Sequence, residues 1–135
     1  VPDLPPIDDL ATALALFRAI GHARQEVVGL AYLDPERRLL GLRHVPGGSG
    51  RVDLSVRQIV ADTLMFGAVA VVIAHNHPSG DARPSERDLA FTRALTLGLA
   101  AVEAELVDHL VLAGHVVVSI RARHPELRRN DGAFR

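Results

Sequence analysis

The sequence predicts a single α/β domain, a mixed β-sheet flanked by helices. Three observations point there. The chain has 135 residues, 48% of them apolar, the size of one ordinary domain with enough hydrocarbon to form a core. Stretches rich in β-branched and aliphatic residues alternate with stretches whose apolar residues recur at helical spacing. The run AVAVVIA, residues 68–74, is too short and too continuously apolar for a surface helix and suits a strand covered on both faces.

The elements follow in order. VPDLPP, residues 1–6, is proline-rich and reads as an extended linker. Asp8 or Asp9 can cap a helix through LATALALFRAI, with Gly21 placed as its C-terminal stop. QEVVGLAYLD, from Gln25, reads as a strand, Asp34-Pro35 as the start of a turn, and RLLGLRHV as a second strand completing a hairpin. PGGSG, residues 46–50, is a loop that lacks the Gly-Lys-Ser/Thr of a phosphate cradle. SVRQIVADTLMFG places Val56, Ile59, Val60, Thr63, Leu64 and Gly67 at helical spacing behind Ser55, a capping residue. After the strand at 68–74, SERDLAFTRALTLG opens on Ser85, carries Leu89, Phe91, Ala94 and Leu95, and ends at Gly98 as a capped helix. AELVDHLVLA and HVVVSI form a second hairpin about Gly114. The domain is expected over residues 7–121, with 122–135 as a polar, arginine-rich tail or short helix.

Composition excludes several functions. Fifteen arginines and no lysine stand against sixteen acids, a formal charge of -1, so no overall basic field draws the chain to nucleic acid or anionic lipid. With no cysteine there is no disulfide, cysteine-type zinc finger or thiol nucleophile. No apolar run approaches the roughly 20 residues that span a bilayer. These features, with no signal-peptide pattern at the start, lead to the expectation of a cytoplasmic protein.

The chemistry concentrates in AHNHPSGDARPSERD, residues 74–88, directly after the apolar strand. Ionisable groups at the mouth of a core cost desolvation free energy, and a shared metal ion offsets it. His75 and His77, two apart on a strand, point to one face about 6 to 7 Å apart, so their imidazoles can converge. Asp88 lies in the first turn of the next helix, where its carboxylate can fold back over the strand end. Two imidazoles and a carboxylate leave zinc a fourth position for water, the catalytic pattern. Ser85-x-x-Asp88 is also a capping box. A capping serine accepts a backbone N–H, which leaves its own hydroxyl proton free for an oxyanion above the metal.

The motif resembles the JAMM signature of the JAB/MPN metallohydrolases, whose fold is cytidine-deaminase-like: an upstream glutamate, His-x-His-Pro, then Ser-x-x-Asp. It is carried here by Glu26, His75-Asn76-His77-Pro78 and Ser85-Glu86-Arg87-Asp88. The full wording AHNHPSGDARPSERD, with VRQIV upstream and VDHLVLAG downstream, looks like the bacterial RadC-type branch over residues 25–120. The resemblance implies that His75, His77 and Asp88 bind Zn2+, that Glu26 is the general acid/base, that Ser85 stabilises the developing oxyanion, and that the substrate is a peptide or isopeptide amide of a protein or peptide. Spacing alone does not choose Glu26 from Glu36, Glu86, Glu103, Glu105 and Glu126. An acid entering the apolar EVVGLAYL is suited to proton transfer, because partial burial raises its pKa towards working pH.

Other residues read as structural. Asp108-His109 suits a hydrogen-bonded pair inside a strand, and His22, His44, His115 and His124 suit surface or turn positions. Arg57, which the resemblance also matches, suits an ion pair or a substrate contact; Asn76 suits a donor near the site. A nucleobase deaminase would need Pro-Cys-x-x-Cys and is excluded, and the letters HNH do not make the dispersed HNH nuclease motif. RadC-type relatives usually carry an N-terminal DNA-contacting region, of which only the helix near residues 9–20 corresponds here. The alternative function is therefore a DNA-associated module, using Arg121, Arg123, Arg128, Arg129 and Arg135.

Overall fold

A computed structural model describes residues 4–46 and 54–127 of the chain. The residues 47–50 of the expected loop, and Arg128, Arg129 and Arg135 of the expected tail, lie outside the described residues. The order is α1 (Leu10–Phe17), β1 (Val27–Leu33), β2 (Leu39–Pro46), α2 (Val56–Phe66), β3 (Ala70–Asn76), α3 (Glu86–Ala101), β4 (Glu105–Ala113), β5 (Val116–Ser119) and α4 (Ile120–Arg123), with 3₁₀ turns at Arg18–His22 and Pro125–Leu127.

The five strands form one mixed sheet in the order β2-β1-β3-β4-β5. Both expected hairpins are present as antiparallel pairs. β3 runs antiparallel to β1 and parallel to β4, and α3 supplies the crossover that a parallel pair requires. Every residue of β3 is buried, as its unbroken apolar run requires. Alternation divides its neighbours between two cores. Ala70, Val72 and Ala74 pack with α1 on one face, while Val71 and Ile73 pack with Ile59 of α2 and Leu95 and Leu99 of α3 on the other.

Three glycines and serines behave as local chemistry dictates, and two glycines do not. Ser55 and Ser85 each form a complete capping box, and Gly67 ends α2 at φ 67, where a Cβ is disfavoured. Gly21 is not the expected helix stop. The α-helix ends at Phe17 and tightens into the 3₁₀ turn, while Gly21 packs against the β4–β5 turn, its C=O accepting from the Gly114 N–H at 2.8 Å. A Cβ there would meet the Gly114 carbonyl oxygen at 2.5 Å. Gly21→Ala should therefore cost about 1–3 kcal/mol, read as a lowered urea midpoint. Nor does α3 stop at Gly98; it continues to Ala101 because Gly98 is where α2 crosses, with Val56 Cγ1 2.8 Å from where a Cβ would stand.

Burial corrects the expected helix faces. In α2, Leu64 is exposed while Ile59 and Thr63 are buried. In α3, Ala94 is exposed and the buried stripe is Thr92, Leu95, Thr96 and Leu99. The two threonines enter the core because their hydroxyls donate to carbonyls one turn back, Thr92 to Asp88 at 2.8 Å and Thr96 to Thr92 at 2.7 Å. Packing continues to the last described residue, Leu127, which is buried with Val111 and Ile120. Among the described residues no helix is long and apolar enough to cross a membrane.

Candidate metal centre

The end of β3 and the start of α3 place the three candidate ligands. His75 follows Val71 and Ile73 on the face towards α3, by strand alternation. His77 lies just past β3, held by its backbone N–H donating to the Leu112 carbonyl at 2.8 Å. A turn returns the chain to Ser85, whose Oγ accepts from the Asp88 N–H at 3.0 Å while Asp88 Oδ2 accepts from the Ser85 N–H at 2.8 Å. The capping box thus folds the Asp88 carboxylate over the strand end.

The ligand atoms of His75, His77 and Asp88 lie within 4.8 Å of one another. His75 Nε2 is 3.0 Å from His77 Nε2 and 3.3 Å from Asp88 Oδ1, and His77 Nε2 is 3.1 Å from Asp88 Oδ2. Ligands about 2 Å from a tetrahedral zinc stand about 3.3 Å apart, so the triangle has the size of one face of such a site. His77 Nδ1 lies 2.8 Å from the Asp81 carbonyl; a carbonyl only accepts, so that nitrogen carries the proton and a neutral His77 presents a bare Nε2. Burial alone would raise the pKa of Asp88, but the neighbouring His75 and the Ser85 N–H outweigh it and hold the carboxyl well below its usual range. Lone pairs and negative charge converge on one point. This donor set, two imidazoles and a carboxylate, fits a divalent ion of the zinc type.

Asn76 faces the opposite side and is fully buried. Its Oδ1 accepts from the Val27 N–H at 2.7 Å, and its Nδ2 donates to the carbonyls of Ala23 and Gln25 at 3.1 and 3.0 Å. It is a clamp on the segment that carries Glu26, rather than a donor into the site. Glu26 is half-buried, one residue before β1. In the β1–β3 register Val28 pairs with His75, so Glu26, two residues before Val28, lies at the same end of the sheet as the cluster. Asn76→Ala should destabilise the fold by about 2–4 kcal/mol, from buried backbone groups left unpaired, and hydrogen exchange at residues 23–27 should rise with it.

Ser85 is exposed at the cap of α3, its hydroxyl oxygen accepting as expected. The Asp108-His109 pairing is only half right. Asp108 accepts from the backbone N–H of His109 at 2.7 Å and from the Ser119 hydroxyl at 2.6 Å, but the His109 ring turns elsewhere. A β-bulge shifts the register between Val71 and Val72, so that His109 pairs with Ile73 and faces α3. Its Nε2 lies 2.7 Å from His75 Nδ1 and its Nδ1 lies 2.7 Å from Thr92 Oγ1. Burial pushes its pKa well below the ordinary histidine value. Thr92 escapes sequence reading altogether; its position one turn after Asp88 is the one available signal. Arg57 is exposed on α2 and forms no ion pair among the described residues. His22, His44 and His115 are exposed, and His124 pairs with Glu126.

Fold and site together define a JAB-type α/β domain with a His-x-His and helix-cap carboxylate cluster able to hold a metal. The chain belongs to the RadC-like JAB domain family, whose model matches residues 7–125. It is 38% identical over 106 residues to a UPF0758 protein of Bordetella avium, covering 78% of this chain and 47% of that protein. A UPF0758 protein of Bordetella petrii is 42% identical over 90 residues, 66% of this chain and 40% of its own length. One from Carboxydothermus hydrogenoformans is 38% identical over 104 residues, 76% and 46% of the two chains. The chain thus spans less than half the length of these relatives.

Proposed function

We propose that this domain is a zinc-dependent hydrolase of the JAMM type that cleaves a peptide or isopeptide-like amide bond in a protein or peptide substrate. The observation that carries the reading is the convergence of His75, His77 and Asp88 within 4.8 Å, with His77 committed to donate from Nδ1 and Asp88 held ionised. A zinc ion held by these three would supply Lewis acidity, polarising a carbonyl and lowering the pKa of a water molecule to about 7.

The chain's own groups supply the rest. Glu26, clamped by Asn76 at the same sheet end, takes a proton from the attacking water and returns it to the leaving amine. Ser85 uses its lone pair to cap α3 and its hydroxyl proton to steady the oxygen on which negative charge develops. The capping box makes both Ser85 and Asp88 rigid, so their alignment is in place before substrate arrives.

The test is to load the protein with zinc, count the metal, and screen a library of peptides and isopeptides for cleavage. About one zinc per chain and cleavage abolished by a chelator and restored by zinc are expected. A fully loaded protein that leaves every amide intact, yet shifts duplex or branched DNA in a salt-dependent way, would overturn the hydrolase in favour of the DNA-associated reading.

A further inference from the structure

Building on that metal reading, we propose that Thr92 and His109 are positioning residues, a relay that fixes the tautomer of His75 and so sets the affinity of the site for its divalent ion. Neither residue is a member of the ligand triangle. The relay starts at Thr92, whose hydroxyl proton goes to the Asp88 carbonyl at 2.8 Å. A hydroxyl has one proton, so towards His109 Nδ1, at 2.7 Å, Thr92 can offer only a lone pair. His109 therefore donates from Nδ1.

A neutral imidazole with its proton on Nδ1 has a bare Nε2. That nitrogen lies 2.7 Å from His75 Nδ1, which must be the protonated one. His75 in turn is left with a bare Nε2, facing His77 Nε2 and the Asp88 carboxylate at 3.0 and 3.3 Å. Reversing one link alone sets two donors or two acceptors against each other at 2.7 Å. Reversing all of them puts a proton on His75 Nε2, where the ion would sit. The carbonyl that anchors the relay belongs to Asp88, so one turn of α3 supplies both a ligand and the orientation of another ligand. Partners that hold a ligating histidine in this way typically change metal affinity by about 10–100-fold.

Thr92→Val tests it, because valine keeps the volume and removes the acceptor; Thr92→Ser restores the hydroxyl. Zinc affinity, measured by competition with a chelating dye, should fall about 10–100-fold in Thr92→Val and recover in Thr92→Ser. Nitrogen-15 NMR of the zinc-loaded wild type should show His109 protonated at Nδ1, with the Nε2-protonated form of His109 appearing in Thr92→Val. His109 protonated at Nε2 in the zinc-loaded wild type, or unchanged zinc affinity in folded Thr92→Val, overturns the relay. A folded wild type that takes up no zinc instead overturns the metal reading, and with it the relay's effect on affinity.

Discussion

His77→Ala is expected to take zinc content from about one ion per chain to none while the fold survives. The His77 ring is on the rim of the site, 18% exposed, and its partners are the other ligand atoms and the Asp81 carbonyl. The backbone bond to Leu112 that continues the β3–β4 ladder does not involve the ring. Deleting it removes one of the three candidate ligands found among the described residues, so the affinity loss should exceed the roughly hundredfold that marks the loss of an outer partner. Circular dichroism checks the fold and elemental analysis counts the metal. Equal zinc in wild type and variant would end the assignment. Affinity in the wild type should also fall as pH is lowered, because protons compete for the same imidazole lone pairs and the Asp88 carboxylate.

Glu26→Gln is expected to lower hydrolysis about 10²–10⁴-fold, the usual contribution of a general base, with zinc content unchanged. Glutamine keeps the shape but cannot take the proton. Asn76 binds the backbone of Ala23, Gln25 and Val27 rather than the Glu26 side chain, so the clamp persists and the variant should stay folded. A comparable loss of zinc in Glu26→Gln would instead make the carboxylate part of the ligand set. Activity retained at the wild-type rate would pass the proton-transfer role to another group.

The candidate ligand cluster is legible in the sequence for a physical reason. His75 and His77 share a face because strands have a period of two, and Asp88 returns to them because a capping box is a contact between residues three apart. Both rules act over a few residues. Gly98 shows where such rules stop: a glycine late in a helical pattern looks like a terminus, yet here it makes room for Val56, 42 positions earlier in the chain. Leu64 shows the same limit, since spacing alone counts it on the buried face and the tertiary fold leaves it exposed.

By itself the sequence determined the kind of domain, its order of strands and helices, and the three residues that meet at the mouth of β3, all consequences of local periodicity and capping. Only the tertiary structure decided what surrounds them: the bulge that turns His109 towards α3, the burial of Thr92, and the grip of Asn76 on a segment about 50 residues away. Those outcomes depend on which strands pair and in what register. That is settled by burial across the whole sheet, and no short window of residues encodes it.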